Sequence, residues 1–212
     1  MPKIKLPSKS PHIDMTPMVD LFSLLLTFFM LTSVFRPQEP APVDVPFSVS
    51  EKPSPNSNIM TLVLSADNRV FFNVDNGQDT ILHYRPQILK EMGTRYNIVF
   101  TPQELRKFEK YSTSFGVSIN DLKAFLATND SKEKARYEKG IPTDSLDNQL
   151  AMWILYSRKV NPAVQAVIKG DSNVEYPALK KVLDILLDYN VSRFSLITSL
   201  EAAKVEVTDA KK

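Results

Sequence analysis

Residues 15–35 read MTPMVDLFSLLLTFFMLTSVF, 21 residues in which Asp20 is the one ionisable side chain. As a helix this stretch rises roughly 30 Å, the thickness of a bilayer's hydrocarbon core. It therefore decides the architecture: a single N-terminal transmembrane helix, plus whatever the rest of the chain folds into outside the membrane. A carboxylate on an inserted helix costs on the order of 3 kcal/mol, and such residues usually mark a proton or ion path. The plainer alternative is that Asp20 lies close enough to the cytoplasmic end to snorkel into the headgroups, with Thr16 capping the helix and Pro17 opening it.

At 100° per residue Thr16, Asp20, Ser23 and Thr27 fall on one stripe about 60° wide, and Leu21, Leu24, Leu25, Phe28 and Phe29 cover the rest of the surface. Hydroxyls can bond back to carbonyls four residues earlier, but a carboxylate in lipid needs a partner, water or a proton. The seam thus calls for an enclosing partner. Ser23 and Thr27 read either as groups that solvate Asp20 or as hydroxyls bonded to their own backbone.

Lys3, Lys5 and Lys9 precede the span and Arg36 follows it, a bias that places residues 1–14 in the cytoplasm and everything after Phe35 outside the inner membrane. A cleaved signal peptide fits less well, because Val34-Phe35-Arg36-Pro37 lacks a small-x-small cleavage pattern. The 212 residues leave room for the anchor and one domain of ordinary size. A net charge of +2 is too small to suggest a nucleic-acid partner, and the absence of cysteine excludes disulfides and thiolate metal sites.

Residues 36–58 hold six of the 15 prolines and read as an extended tether that reaches on the order of 70 Å, within which Val43-Asp44-Val45 alternates like a strand. From 59 to 200 the pattern predicts one α+β domain, a mixed sheet with helices on one face, followed by a charged tail at 201–212. Ile59–Leu64 and Arg69–Val74 read as a hairpin turning at Asp67-Asn68. The stretch from Arg85 to about Asn129 reads as mostly helical. Thr101-Pro102 with Glu104 opens one helix through a capping box, and Ser118 or Asn120 opens another.

Ser131–Lys139 is charged and reads as a loop. Leu146, Leu150, Trp153, Ile154 and Ser157 follow helical spacing, with Trp153 read as core. At the C-terminal end, Ala163–Ile168 reads as a strand stopped by Lys169-Gly170-Asp171. Leu179, Val182, Leu183, Leu186 and Leu187 form a helical stripe, and Arg193–Thr198 returns as a strand. That is a βαβ unit with parallel strands.

Nothing in this domain reads as an active site, so no catalytic residue is assigned. His12 and His83 have no metal-ligand spacing, and five glycines form neither a nucleophile elbow nor a phosphate loop. Asp171 and Glu175 flank a turn where they could hold a cation, although capping explains them equally; no metal site or cofactor is expected.

Ile13-Asp14-Met15-Thr16-Pro17-Met18-Val19-Asp20 runs straight into the span. Val43-Asp44-Val45-Pro46 follows it, and Lys169-Gly170-Asp171, Val174-Glu175-Tyr176 and Val182–Leu187 sit in the C-terminal unit. In these pieces the chain resembles the ExbD/TolR family of biopolymer-transport proteins, energy-transducing components of Gram-negative inner membranes. Asp14, Thr16, Pro17 and Asp20 match the family's acidic-x-x-Thr-Pro-x-x-Asp opening of its transmembrane helix. Residues 80–145 depart from the pattern and read as an insertion.

The resemblance implies a homodimer whose helices are enclosed in a pentamer of a polytopic ExbB/TolQ-like subunit. Asp20 would take up and release protons, the coupling ion, and the exported domains would act on a TonB- or TolA-like protein spanning the periplasm. A Ton-type transport system and a Tol-type envelope-maintenance system remain alternatives. So does a passively tethered binding module; a flagellar-type stator would carry a larger peptidoglycan-binding domain that the C-terminal unit does not resemble.

Overall fold

The structure is a computed structural model that describes residues 16–33, 39–48, 57–77, 82–128, 130–144, 147–197 and 199–200. The chain divides into two compact units, Met1–Pro37 and Gln38–Lys212. In the first, α1 spans Thr16–Thr32. The second is built on a four-stranded mixed sheet of β2 (Ile59–Leu64), β3 (Val70–Val74), β4 (Gln165–Gly170) and β5 (Phe194–Ile197), in the order β3-β2-β4-β5.

The hairpin forms as expected: β2 and β3 pair antiparallel, with Leu62 opposite Phe72. Asn68 turns the chain at φ 59°, a left-handed conformation that asparagine tolerates better than most residues, and Ser65 N–H donates to the Arg69 carbonyl at 3.0 Å. The βαβ unit is also present. β4 runs parallel to both β2 and β5, and α7 (Tyr176–Asp188) makes the crossover. β4 extends through Lys169 and Gly170 instead of stopping before them.

Along α7 the buried residues are Val182, Ile185 and Leu186, while Leu187 of the expected stripe is 54% exposed. The buried arc is centred near Val182, and at 100° per residue Leu187 lies some 140° away from it, on the solvent side. The Val43-Asp44-Val45 segment forms no strand. The pairing occurs later, where β1 (Phe47–Ser48) runs parallel to β6 (Ser199–Leu200).

Strand alternation splits the sheet into two faces. Met60, Leu62, Leu64, Val70, Phe72, Val74, Ala166 and Ile168 belong to the main core with the helices, while Val63 and Phe71 pack with Ala41 and Val43. The expected insertion is integral to the main core. Between residues 82 and 144 lie α2 (Tyr84–Tyr96), α3 (Pro102–Lys110), α4 (Leu122–Ala127) and α5 (Ser131–Tyr137). Of the 29 buried side chains that the main core has among the described residues, this region supplies 12, Ile88, Met92, Phe108, Phe115 and Phe125 among them.

Phe115 also extends the sheet, exchanging two 2.8 Å backbone hydrogen bonds with Phe72. In the centre Trp153 of α6 (Gln149–Val160) stacks on Phe108 at 5.9 Å and meets Phe115 edge-on at 5.1 Å. Such pairs add to the area they bury. Leu150, Ile154 and Ser157 are buried beside Trp153 as the helical spacing predicted, whereas Leu146 lies outside the described residues.

The Thr101 capping box is complete: Glu104 N–H donates to the Thr101 hydroxyl and Thr101 N–H donates to the Glu104 carboxylate. The next helix starts later than expected, at Leu122, after a turn in which Asp121 N–H donates to the Ser118 carbonyl. Ser131–Lys139 was expected to be a loop, yet Ser131–Tyr137 is helical. Asp130 caps it by accepting the Lys132 N–H at 3.1 Å, and Glu133 near its start and Lys134 and Arg136 near its end suit the helix dipole. The helix buries no residue, so no apolar period announces it.

Just beyond α5, Glu138 is buried, with Tyr111 donating its hydroxyl to Glu138 Oε1 at 3.2 Å. Burial pushes this carboxyl above its ordinary value. The folded state then holds the proton more tightly than the unfolded chain, so stability falls as pH rises through that interval. Glu138→Gln, which keeps an acceptor for Tyr111, is expected to raise the melting temperature at pH 7 by a few degrees. The gain should vanish below about pH 4, where both states of the wild type are protonated; thermal unfolding at the two pH values checks it.

Candidate functional site

α1 carries every candidate proton-site residue that the structure describes. Pro17 stands in its first turn, where a fixed φ and a missing N–H cost nothing. As described, the helix is 17 residues long, about 25 Å, and among the described residues no helix is long and apolar enough to cross a membrane. Met15, Val34 and Phe35 of the expected span, and Asp14 of the helix-opening motif, lie outside the described residues.

Eleven large apolar side chains between Met18 and Leu31 are each 48% to 87% exposed and cover the helix surface outside the polar stripe. Asp20, Ser23 and Thr27 are exposed among them on their common stripe. Thr27 Oγ1 lies 3.0 Å from the Ser23 carbonyl and 2.9 Å from that of Leu24. Thr32 bonds back in the same way, to the Phe28 carbonyl at 2.9 Å. With its hydrogen engaged by its own helix, Thr27 presents lone pairs to the seam and can accept a proton-bearing group there.

In the folded domain the second histidine, His83, is the left-handed residue before α2, and its Nδ1 meets Glu109 Oε1 at the end of α3. That contact and an Asn76 amide at 3.1 Å hold the Glu109 carboxyl below its ordinary value. Beside them Arg85 is 7% exposed. Its Nε donates to the Val74 carbonyl at 2.6 Å, Nη2 to Asn73 Oδ1 at 2.6 Å, and Nη1 to the Tyr111 carbonyl. One guanidinium thus ties β3 to the segment after α3.

Asp171 is committed to the backbone. Oδ1 accepts the Asn173 N–H at 2.9 Å and Oδ2 accepts the Asp44 N–H at 3.0 Å, bonds that hold this carboxyl below its ordinary value. Glu175 precedes α7 and donates its N–H to Asn68 Oδ1 at 3.3 Å. The Asp171 carboxylate therefore serves the turn, the plainer of the two sequence readings, whereas Glu175 stands at the N-cap of α7 without a side-chain cap hydrogen bond. Among the described residues no group of three or more His, Asp or Glu side chains is placed to hold a metal.

Among the described residues the surface carries open grooves. One of about 520 Å³ is lined by Lys90, Gly93, Thr94, Asn97, Ile98, Val99 and Phe100, and one of about 190 Å³ by Lys107, Lys110, Tyr111, Leu126 and Lys134. In the second, Lys107 Nζ donates to the Leu126 carbonyl at 3.0 Å and Lys134 Nζ lies over the Tyr111 and Phe125 rings at 5.2 and 5.4 Å. Neither groove is lined by a nucleophile with a base beside it.

Sequence reasoning missed the Arg85 fork and the hold of Asp171 on Asp44, whose partner lies 127 positions away. No local pattern marks such a pair. A family model described as Biopolymer transport protein ExbD/TolR matches residues 7–201. No curated protein and no solved structure matches the chain.

Proposed function

The chain belongs to the ExbD/TolR family of biopolymer-transport proteins, and from that membership we propose that it is a proton-driven, energy-transducing subunit anchored in the inner membrane by residues 15–35. In this reading residues 1–14 are cytoplasmic and the α+β domain is periplasmic. Two copies of the helix sit inside a pentamer of an ExbB/TolQ-like subunit. Asp20 takes up a proton from one side and releases it to the other as its surroundings change, while Thr16, Ser23 and Thr27 line the same seam. The domains pass the resulting motion to a TonB-like protein that serves outer-membrane transport; a TolA-like protein is the corresponding partner in a Tol-type system.

The observation that carries the reading is one carboxylate, in a narrow polar seam, on a helix that is otherwise apolar. A helix of that kind is stable when lipid or protein surrounds it, and eleven exposed large apolar side chains have no such surroundings in the single chain. An acid placed among them supplies chemistry that a neutral residue would not. Moving one proton down 100 mV releases about 2.3 kcal/mol, so repeated steps can drive mechanical work.

The test is gentle detergent purification of the tagged chain from its native membrane, followed by mass spectrometry of what stays bound. A polytopic partner in stoichiometric excess over this chain is expected. Recovery of this chain alone from intact membranes would replace the motor reading with that of a passive tether.

A further inference from the structure

The helices between residues 82 and 144 carry charge that the core does not use. Residues 101–140 hold eight basic and six acidic side chains. Four of the acids are engaged inside the domain: Glu104 in the Thr101 capping box, Glu109 with His83, Asp130 at the start of α5 and Glu138 with the Tyr111 hydroxyl. Three of the lysines instead converge on the groove of about 190 Å³, Lys107 and Lys110 from the last turn of α3 and Lys134 from α5.

The groove is arranged before anything enters it. Lys107 Nζ is fixed by the Leu126 carbonyl at 3.0 Å, and Lys134 Nζ stands 5.2 and 5.4 Å from the Tyr111 and Phe125 ring centres. Those two rings meet edge-on at 5.3 Å and give the ammonium a fixed base. Lys110, one turn beyond Lys107 on the same face of α3, is exposed. Among the described residues no acidic side chain lines the groove.

The dipole of α3 accounts for Lys107 and Lys110 near its end. It does not account for a third ammonium brought to the same opening by another helix. α5 buries no residue, so what it contributes here is charge. Three ammoniums around one opening repel one another, and an entering anion relieves that repulsion. Between the lysines the lining is Tyr111 and Leu126, a surface that a free phosphate would leave uncovered. Ammoniums on separate helices are also point charges spread along the opening, not a fork closing on one group. The arrangement fits several carboxylates spaced along a chain with an apolar side chain between them.

We propose that the groove between α3, α4 and α5 is a docking site for an acidic peptide segment of a partner protein. Its carboxylates meet Lys107, Lys110 and Lys134, and one apolar side chain covers Tyr111. The inference concerns the folded domain and stands whether or not Asp20 carries protons.

The probe is a peptide with two glutamates on either side of a leucine, carrying a neutral fluorophore and titrated by anisotropy into the full chain in a neutral detergent. Saturable binding is expected, at least tenfold weaker in the double variant Lys110→Glu, Lys134→Glu and weaker again as ionic strength rises to about 0.15 M. Glutamine in place of the glutamates should abolish binding, and glycine in place of the leucine should weaken it severalfold. Lys110→Glu alone, at an exposed position, should weaken binding at an unchanged melting temperature, which separates loss of charge from loss of fold. No saturable binding, equal binding of the glutamine peptide, or wild-type affinity in the double variant would each overturn the proposal. So would displacement of the peptide by inorganic phosphate at matched ionic strength, the mark of a small-anion site, or by phosphatidylglycerol in the micelles, the mark of a lipid site.

Discussion

Asp20→Asn is expected to bring energised transport down to the level of cells lacking the chain, with the variant present in the membrane at wild-type amount. Asparagine keeps the size and hydrogen-bonding capacity of the side chain and removes only the ability to take up and release a proton. A structural role for the residue would therefore survive the exchange, and a proton-carrying role would not. Asp20→Ala should give the same loss, because what is missing in both is the titrating group rather than a packing contact.

The size of the effect follows from the coupling. Each proton crossing 100 mV supplies about 2.3 kcal/mol, and in the proposed motor a helix without a carrier would pass none of that energy to the α+β domain. A transport assay paired with quantitative detection of the protein in membrane fractions decides the matter. Wild-type transport in both variants would make Asp20 a snorkelling residue and the helix a passive anchor.

Arg85→Ala is expected to destabilise the folded domain by about 3 kcal/mol. The exchange leaves the Val74 and Tyr111 carbonyls and Asn73 Oδ1 without the donors they have now, and each buried unpaired acceptor costs on the order of 1–3 kcal/mol. Desolvation already holds the guanidinium below its ordinary value, so part of the loss is offset by no longer burying a charge. For a domain of this size the melting temperature should drop by roughly 6–12 °C.

Arg85→Lys should recover less than half of that loss, since a single ammonium cannot serve three diverging acceptors as the fork does. Thermal unfolding of both variants is the check. A melting temperature for Arg85→Ala within a degree of wild type would mean that the fork contributes nothing to stability.

The elements that were legible in advance are those whose cause is local. The hairpin follows from β-rich runs flanking Asp67-Asn68, α3 from Thr101, Pro102 and Glu104 within four positions, and the C-terminal βαβ unit from a change of apolar period. The stripe on α1 follows from spacing alone. α5 escaped because it is stabilised by the Asp130 cap and buries nothing, so it lacks the period by which helices are recognised. Leu187 was misplaced because a stripe read from sequence has a width but no centre until a sheet lies beneath it.

The sequence by itself determined the family, an apolar helix with one carboxylate, and the order of hairpin and βαβ unit, because each is written in short local motifs and their order along the chain. Only the tertiary structure decided that residues 82–144 help fill the main core, that Arg85 clamps β3 to the segment after α3, and that residues 39–46 are held by Asp171 and Lys169. Those contacts join positions as far as 130 residues apart, and they exist because burial of apolar surface brings the elements together and leaves their polar groups to find partners there. No stretch of chain encodes them by itself.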